Sequence, residues 1–290
     1  MSDPKPVRTV GLVPHPERPM ALELAGHAAR WLREHGLEVR VLVEEGDPED
    51  LRPFGVTADE FSKGLDVGIS LGGDGTMLRT VDLVYECGAA VLGVNVGQLG
   101  YLTEVEPSGL DGALAALLAG EYAVDERMML DVVVGSSGAA AGRWWALNET
   151  VLEKGPSSRV VRLEVDINGT FFTSYVADGV IVATPTGSTA YSFSARGPIV
   201  SPQHRAILLT PVSPHMLFDR SLVLDPSEPV TIEVLGHRPA DLSIDGRRVA
   251  GLERGDRVTC GPDAEVARFV RFGGRRFHQI LKTKFGLSDH

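Results

Sequence analysis

The 290-residue sequence lacks the features that define several large classes of protein. Its only cysteines are Cys87 and Cys260, which are too few for a disulfide framework or for a zinc site made of thiolates. It has no apolar run long enough to span a membrane, and residues 1–6 are polar and contain proline, unlike a secretory signal. We therefore expect a cytoplasmic protein without a membrane partner.

Positive charge is also scarce. The chain has 28 Lys and Arg against 39 Asp and Glu, which gives a formal net charge of −11. Because a polyanion is repelled by a protein of this charge, we expect neither nucleic acid nor an anionic membrane surface as a partner. Individual phosphate groups can still be bound where the local geometry favours them.

Three familiar catalytic or cofactor signatures are missing as well. No Gly-x-Gly-x-x-Gly follows the first predicted strand, so any nucleotide must be held without the Rossmann dinucleotide turn. The eight histidines show none of the spacings of a dedicated zinc site. Ser188 does not lie in Gly-x-Ser-x-Gly, the nucleophile elbow of α/β-hydrolases.

The pattern of predicted strands and helices changes along the chain and indicates two domains of different architecture. The predicted strands of the first part are 7–13, 39–43, 67–71 and 90–94, and its predicted helices are 18–35, 77–84 and 110–118. This alternation is typical of a parallel sheet covered by helices, whereas the short strands and turns that follow favour a β-sandwich. We predict an α/β Rossmann-like nucleotide-binding domain in residues 1–124 and a β-sandwich domain in residues 125–271. A C-terminal helix within residues 272–290 is expected to pack back on the first domain.

The most informative segment is a glycine turn that carries a carboxylate. A buried strand leads into Gly72-Gly-Asp-Gly-Thr76, and helical spacing follows. Gly72, Gly73 and Gly75 permit positive φ and a close approach of phosphate to backbone N–H groups, and the helix N-terminus adds partial positive charge. Asp74 then fits a metal anchor, or a base that takes a proton from an attacking hydroxyl. The same residues also fit a glycine turn whose Asp caps the helix.

A second glycine turn, Asn95-Val-Gly-Gln-Leu-Gly100, follows the next predicted strand. Both turns stand at the carboxyl ends of strands, the edge at which open α/β sheets bind ligands. If the two strands are neighbours, the two turns form the walls of one crevice.

The second half contains a polar pair, Asn148-Glu149, inside the run Trp144–Glu153, which we predict to be one strand. An amide beside a carboxylate suits adenine edges and ribose hydroxyls. The pair also fits two solvent-facing residues, because adjacent side chains of a strand point to opposite faces unless a bulge re-aims one of them.

The segment Asp178–Pro198 is rich in small and hydroxyl side chains. It contains a buried strand, then Thr184-Pro-Thr-Gly187, and Ser188 or Thr189 is placed to cap a helix that begins at Ala190. Backbone N–H groups, hydroxyls and the ring of Tyr191 would surround one anion-binding point.

Taken together, these segments resemble the NAD kinases, ATP-dependent enzymes that phosphorylate NAD to NADP. The resemblance rests on residues 72–76, 95–100, 148–149, 178–198 and 210–215, and it extends from the first predicted strand to the last helix. The first motif alone is shared with diacylglycerol, sphingosine and phosphofructokinase-like kinases. The Asn-Glu pair and the hydroxyl segment are what favour NAD kinase.

The resemblance implies transfer of the γ-phosphate of ATP to the 2′-hydroxyl of the adenosine ribose of NAD, with Asp74 as the base. The residues that it places at the phosphates of ATP are Gly72, Gly73, Gly75 and Thr76. The residues that it places at NAD are Asn148 and Glu149 at the adenosine, and Asp178, Thr186, Thr189, Ala190, Tyr191, Ser192 and Ser194 at the rest of the dinucleotide. Arg79 and Arg159 match positions where the family often has a ligand contact. Arg247 stands where many relatives have glutamine, and Arg196 where glycine is usual.

The resemblance also implies Mg²⁺, or another divalent metal, that arrives with ATP, and a homodimer or homotetramer. Two other functions are alternatives to NAD kinase. A lipid kinase of the same superfamily would need an apolar entrance and a basic membrane-facing patch. A module that senses NAD(H) or a nucleotide without turnover would be expected to lack Asp74. The residues do not decide between ATP and inorganic polyphosphate as donor, or between NAD and NADH as acceptor.

Overall fold

The computed structural model describes residues 6–42, 48–135, 140–155, 159–273 and 276–287. The chain forms two compact units: unit 1 contains residues 1–126 and 267–290, and unit 2 contains residues 127–266. Within the described ranges, no helix is both long and apolar enough to cross a membrane.

Unit 1 is built on a parallel sheet. Its strands are β1 (Thr9–Pro14), β2 (Glu38–Leu42), β3 (Gly55–Val56), β4 (Val67–Gly72) and β5 (Ala90–Asn95). They lie in the order β5-β4-β1-β2-β3. Every residue of β1 and β4 is buried, as expected for central strands of a sheet covered on both faces. The predicted strand 39–43 ends at Leu42, and Val43 lies outside the described residues.

Helices cover this sheet. They are α1 (Pro19–Glu34), α2 (Ala58–Phe61), α3 (Asp74–Val84) and α4 (Leu110–Ala119). The apolar face of α1 packs with β1, β4 and α4 in one core, to which Ala25, Leu32, Leu12, Ile69 and Leu114 belong. Small alanines on α1 let the helix lie close to the sheet. The carboxyl ends of β4 and β5 lie side by side, since Gly72 pairs in register with Asn95.

Unit 2 consists of antiparallel strands in two sheets. The strands are β6 (Ala123–Gly135), β7 (Gly142–Ala146), β8 (Glu149–Lys154), β9 (Val161–Ile167), β10 (Thr170–Ala177), β11 (Gly179–Ala183), β12 (Ile207–Val212), β13 (Leu222–Leu224), β14 (Val230–Val234), β15 (Ala240–Ile244), β16 (Arg247–Leu252) and β17 (Arg257–Arg271). One sheet has the order β13-β12-β11-β8-β15-β16, and the other contains β10-β9-β14-β17 with β6 and β7. Residues 123–126 of β6 and 267–271 of β17 belong to unit 1. Alternate side chains of both sheets fill one apolar core, which includes Leu163, Tyr175, Val180 and Leu242.

Two short elements complete the chain. A helix of one turn, α5 (Tyr191–Ser194), follows β11 in unit 2. The last helix, α6 (Phe277–Lys284), belongs to unit 1, where the ammonium group of Lys284 lies 4.2 Å from the ring centroid of Tyr101. The predicted fold, an α/β domain with a β-sandwich domain and a returning helix, is confirmed.

Two local predictions are wrong. The run 144–153 is not one strand, because β7 ends at Ala146 and β8 begins at Glu149. Neither Ser188 nor Thr189 caps α5, whose N-cap is Ala190 and has no side-chain cap bond. The Ser188 hydroxyl instead bonds to the carbonyl oxygen of Pro185 (2.7 Å) and accepts the N–H of Val200 (3.0 Å).

Candidate functional site

Asp74 is the first residue of α3, and residues just after the second glycine turn hold its carboxylate. The N–H of Tyr101 donates to Oδ2 (2.9 Å), and the N–H of Leu102 donates to Oδ1 (3.0 Å). A Cβ on Gly100 would collide with this carboxylate, so glycine is needed for the close approach. The N-cap of α3 is Gly73, with no side-chain cap bond, so the interpretation of Asp74 as a helix cap is wrong.

Asp74 lines a pocket of about 430 Å³ in unit 1. The lining residues come from the segment between β1 and α1, the glycine turn and the first turns of α3: His15, Pro16, Arg18, Gly73, Asp74, Gly75, Thr76 and Arg79. A Cβ added to Gly73 or Gly75 would meet no atom within 4 Å, so both glycines face open space. Neither these two nor Gly72 has positive φ, contrary to the role expected for the turn. Gly73 and Gly75 therefore provide room for a ligand beside a helix N-terminus rather than an unusual backbone conformation.

In unit 2, Asp245 holds the break between β7 and β8. Its Oδ1 accepts the N–H groups of Asn148 (2.8 Å) and Glu149 (3.0 Å), and its Oδ2 accepts the N–H of Leu147 (2.8 Å). Asp245 has φ 47° and precedes Gly246 in the turn between β15 and β16. Because one carboxylate satisfies three backbone donors, the chain can leave the strand here without unpaired N–H groups. Asn148 and Glu149 are thus released from the strict alternation of a strand.

Glu149 is a buried carboxyl group, 5% exposed. Its Oε2 has no hydrogen-bond partner in the part of the chain that the structure describes. Burial, together with repulsion by the Asp245 carboxylate, raises the pKa of Glu149 to about 8, and the backbone N–H of Tyr191 acts in the opposite direction. Glu149 is therefore mostly protonated at neutral pH and carries an O–H donor. A buried polar atom without a partner is a place that a ligand can satisfy.

The hydroxyl segment lies against the same break. The N–H of Thr184 donates to the carbonyl oxygen of Asn148 (2.8 Å), and a Cβ on Gly187 would collide with the Asn148 backbone. The structure therefore brings together the two motifs that the sequence singled out in this half. Thr186 is buried, and Ser192 is buried with its hydroxyl oxygen 3.2 Å from that of Thr210.

Tyr191 lies close enough to several charged side chains, including the predicted site residues Asp178 and Glu149, for them to shift its pKa. Partial burial raises the pKa of Tyr191, as do the carboxylates of Glu153, Asp178 and Glu149, whereas Lys154 lowers it. Lys154 is also an ion-pair partner of Asp178, with Nζ 2.7 Å from Oδ1. The Tyr191 side chain is partly exposed, so a ligand ring can pack on it.

The other predicted residues lie around these groups. Thr189 and Ala190 are half-buried just before α5, and Ser194 is exposed at its end. Arg159 is exposed two residues before β9. Arg247 is exposed as the first residue of β16, in register with Ile244 of β15.

Known proteins match this chain along its length. Residues 10–122 match the ATP-NAD kinase N-terminal domain, and residues 147–272 match the ATP-NAD kinase C-terminal domain. The NAD kinase of Heliobacterium modesticaldum is 40% identical over 284 residues, which cover 95% of this chain and 98% of the relative. The chain belongs to the NAD kinase family. The resemblance seen in the sequence is thus confirmed.

Other members of the family are similar to it as well. NAD kinase 2 of Streptomyces coelicolor is 38% identical over 97% of this chain and 95% of its own length. The crystal structure of yeast NADH kinase complexed with NADH superposes with a TM-score of 0.87 at 25% identity, covering 99% of this chain and 89% of that one. The structure of an NAD kinase from Archaeoglobus fulgidus in complex with ATP has a TM-score of 0.69 at 22% identity, over 96% and 97% of the two chains, and shows the shared fold.

Sequence reasoning gave no role to several residues of these sites. Asp245-Gly246 indicates a hairpin turn, but nothing local shows that the carboxylate reaches backbone groups 96 to 98 residues earlier. Lys154 has the sequence context of an ordinary strand lysine. His15 and Arg18 follow the carboxyl end of the first strand, the edge that binds ligands in α/β sheets, and that signal could have found them.

The donor atoms of the pocket fit a metal that arrives with a ligand. No cluster of three or more His, Cys, Asp or Glu suited to a metal ion occurs within the described ranges. Of the described residues that line the pocket, Asp74 alone carries a carboxylate. Because Mg²⁺ usually binds one or two protein carboxylates together with substrate phosphates, this set suits a metal–phosphate complex rather than a resident ion.

Proposed function

We propose that the protein transfers the γ-phosphate of ATP to the 2′-hydroxyl of the adenosine ribose of NAD, giving NADP. The observation that carries the proposal is Asp74, a carboxylate fixed by two backbone N–H groups in a pocket that also contains two arginines and a helix N-terminus. A fixed carboxylate within roughly 3 Å of the acceptor hydroxyl is what this reaction requires of a base. The relatives named NAD kinase, which match 95% and 97% of the chain, support the same reaction.

In this proposal the phosphates of ATP lie against the glycine turn. Phosphoryl transfer needs little covalent chemistry from the protein, and it depends on position and on neutralisation of charge. Gly73 and Gly75 offer space at the helix N-terminus, Thr76 lines the same pocket, and Arg79 offers a permanent cation. Gly72, the last residue of β4, is proposed as a further contact of the phosphates. Mg²⁺, or another divalent metal that arrives with ATP, would offset the repulsion between Asp74 and the phosphates.

NAD is proposed to bind to unit 2. The Asn148 amide and the protonated Glu149 would hold the adenosine part. The ligand would then supply the hydrogen-bond partner that Oε2 of Glu149 lacks among the described residues. Asp178 and the partly exposed ring of Tyr191 would contact the rest of the dinucleotide. The further NAD contacts that we propose are Arg159, Thr186, Thr189, Ala190, Ser192, Ser194 and Arg247. NADH in the similar yeast structure supports a dinucleotide as the ligand of this fold.

We assign the donor half of the reaction to residues 1–124 and 272–290, and the acceptor half to residues 125–271. We also propose that the protein works in the cytoplasm as a homodimer or homotetramer, with no nucleic acid or membrane partner. Two free cysteines, Cys87 and Cys260, and a net charge of −11 agree with this setting. Light scattering after gel filtration tests the assembly.

The reaction is tested by incubation with NAD and Mg-ATP and detection of NADP with an NADP-specific dehydrogenase. NADP formation supports the proposal, and its absence refutes it. If no NADP forms, calorimetry with NAD separates a sensor, which binds, from a kinase with another acceptor, which does not. Parallel reactions with NADH and with inorganic polyphosphate identify the acceptor and the donor.

A further inference from the structure

His15 and Arg18 line the pocket of Asp74, yet the proposed reaction has so far given them no task. Both belong to the segment between β1 and α1, and both are half-buried. Basic side chains in one pocket are unexpected in this chain, because its formal net charge is −11. With Arg79, this pocket nevertheless gathers two arginines and a histidine around a single carboxylate.

The fold fixes these two residues to the strands that carry the glycine turns. The N–H of His15 donates to the carbonyl oxygen of Leu71 (2.9 Å), directly before Gly72. The guanidinium group of Arg18 donates from Nη1 to the carbonyl oxygen of Val96, in the second glycine turn. The N–H of Val96 in turn donates to the carbonyl oxygen of Gly72 (2.9 Å). These bonds therefore fix the backbone of His15 and the guanidinium group of Arg18 relative to the two glycine turns.

The hydrogen bonding of His15 also decides which proton it carries. The backbone N–H of Glu17 donates to Nδ1 of His15 (3.2 Å), so Nδ1 is an acceptor. The neutral ring then has its proton on Nε2, which makes Nε2 a donor. Arg18 adds a planar fork of N–H donors with a permanent charge. His15, Arg18 and the N-terminus of α3, an eleven-residue helix, supply several hydrogen-bond donors to this pocket. Among the described residues that line it, Asp74 alone carries a carboxylate to accept them.

We propose that His15 and Arg18 bind the chain of phosphoryl groups of the phosphate donor. The inference rests on the proposed function for the reaction itself, and it adds the residues that recognise the donor. Its ligand is a linear phosphate chain, which a nucleoside triphosphate and inorganic polyphosphate both contain. The charge-assisted hydrogen bonds from Arg18, and the donor Nε2 of His15, suit phosphate oxygens bound in this pocket.

The test compares the parent with His15→Ala, Arg18→Met and Arg18→Lys. Arg30→Met is the matched control, because Arg30 lies on α1, the helix that follows Arg18, but pairs with Asp50 (3.1 Å) outside the pocket. Calorimetry measures the affinity for inorganic tripolyphosphate and for a non-hydrolysable ATP analogue, each with Mg²⁺. Steady-state kinetics give KM for ATP and for NAD, and thermal unfolding gives Tm.

We expect His15→Ala and Arg18→Met each to weaken binding of the phosphate chain about tenfold and to raise KM for ATP by a similar factor. KM for NAD and Tm should stay near the parent values. Arg18→Lys should fall between parent and Arg18→Met, because lysine keeps the charge but loses the fork. Arg30→Met should behave as the parent.

Two results would overturn the inference. One is an unchanged affinity for both phosphate ligands in His15→Ala and Arg18→Met. The other is a loss in Arg18→Met alone, with a lower Tm and an equal loss of NAD affinity, since Arg18 would then serve only as a tether for Val96. If the variants weaken tripolyphosphate and the ATP analogue alike, the phosphate chain alone is recognised. If only the ATP analogue binds and is weakened, the source is a nucleoside triphosphate.

The outcome is separable from that of the proposed function. Tripolyphosphate binding is read without turnover, so weakened binding in the variants supports the inference even if the parent makes no NADP. Conversely, a parent that makes NADP, with variants whose affinity and KM for ATP are unchanged, leaves the reaction standing and removes the roles of His15 and Arg18.

Discussion

The backbone N–H of Leu102 donates a hydrogen bond to Oδ1 of Asp74 over 3.0 Å, which ties the second glycine turn to the first. The N–H of Tyr101 makes the matching bond to Oδ2. Each carboxylate oxygen keeps a further lone pair with which to accept a proton. The position of the proposed base is therefore set by residues 27 and 28 places further along the chain, rather than by its own helix alone.

Asp74→Asn should abolish most turnover while NAD binding is retained. The amide cannot take the proton of the acceptor hydroxyl, and general-base catalysis typically contributes about 10²–10⁴-fold. The amide also has one acceptor oxygen, so its NH₂ group must face one of the two N–H donors. We expect kcat to fall at least about 100-fold, measured as NADP formed from NAD and Mg-ATP.

Asp59→Asn is the control for this variant. Asp59 is likewise an aspartate in the first turn of a helix of unit 1, but it is exposed and lies outside the pocket. It should keep the parent kcat. Near-normal turnover by Asp74→Asn would remove the base from our mechanism.

Asp245→Ala should destabilise unit 2 and weaken NAD binding together. The variant leaves the N–H groups of Leu147, Asn148 and Glu149 without their acceptor, and one such buried donor costs about 1–3 kcal/mol. We expect the free energy of unfolding in urea to fall by at least about 2 kcal/mol and the affinity for NAD by about tenfold.

Asp241→Ala supplies the comparison, because Asp241 lies on β15, the strand that leads into the turn of Asp245. Asp241 pairs with the exposed Arg248 (2.6 Å), and exposed pairs contribute about 0–1 kcal/mol. Equal losses in the Asp241 and Asp245 variants would argue that Asp245 is an ordinary surface carboxylate and not the residue that positions Asn148 and Glu149.

Local patterns in the sequence predicted the elements that depend on local chemistry. The strand, glycine turn and helix around Asp74 follow from the hydrophobic period and from the glycine residues of the turn. The three hydrogen bonds that Asp245 accepts, and the contact of Gly100 with Asp74, join distant parts of the chain. No local pattern in the sequence therefore contains them. The capping prediction failed for a related reason: Ser188 has several acceptors and donors within reach, and its hydroxyl bonds to Pro185 and Val200 instead.

The burial of Glu149 predicts a distinctive pH dependence of stability. The pKa of its carboxyl group is about 8 in the folded protein against an ordinary value of 4.5. Between these values the folded state binds more protons than the unfolded state, so the free energy of unfolding falls as pH rises. The contribution is fully present below pH 4.5 and is lost as pH rises through about 8, with a slope of at most about 1.4 kcal/mol per pH unit.

Glu149→Gln isolates this contribution, because glutamine does not titrate. Urea unfolding of both proteins from about pH 5 to about pH 9 should show the stability of the parent relative to the variant falling with pH and levelling off above about 8. NAD affinity of the parent should also fall above about pH 8, where the O–H donor is lost. Parallel stability curves would mean that Glu149 is already ionised at neutral pH.

Arg196→Gly should stabilise the protein. Arg196 has φ 67°, and the N–H groups of Arg196 and Gly197 donate to the carbonyl oxygens of Phe193 and Ser192. These two bonds make Arg196 the left-handed residue of a Schellman motif after α5, a position that glycine adopts without the cost of a Cβ. That cost is about 1–2 kcal/mol, partly offset by the greater freedom of glycine in the unfolded chain. We expect a gain of about 0.5–1 kcal/mol in the free energy of unfolding.

Arg196→Ala separates the backbone from the charge. Alanine keeps the Cβ and hence the cost of positive φ, so its free energy of unfolding should stay within about 0.5 kcal/mol of the parent. Urea unfolding of the three proteins decides the matter: a gain in Arg196→Gly alone places the strain in the backbone. An equal gain in both variants would instead show that the exposed guanidinium group is what destabilises the turn.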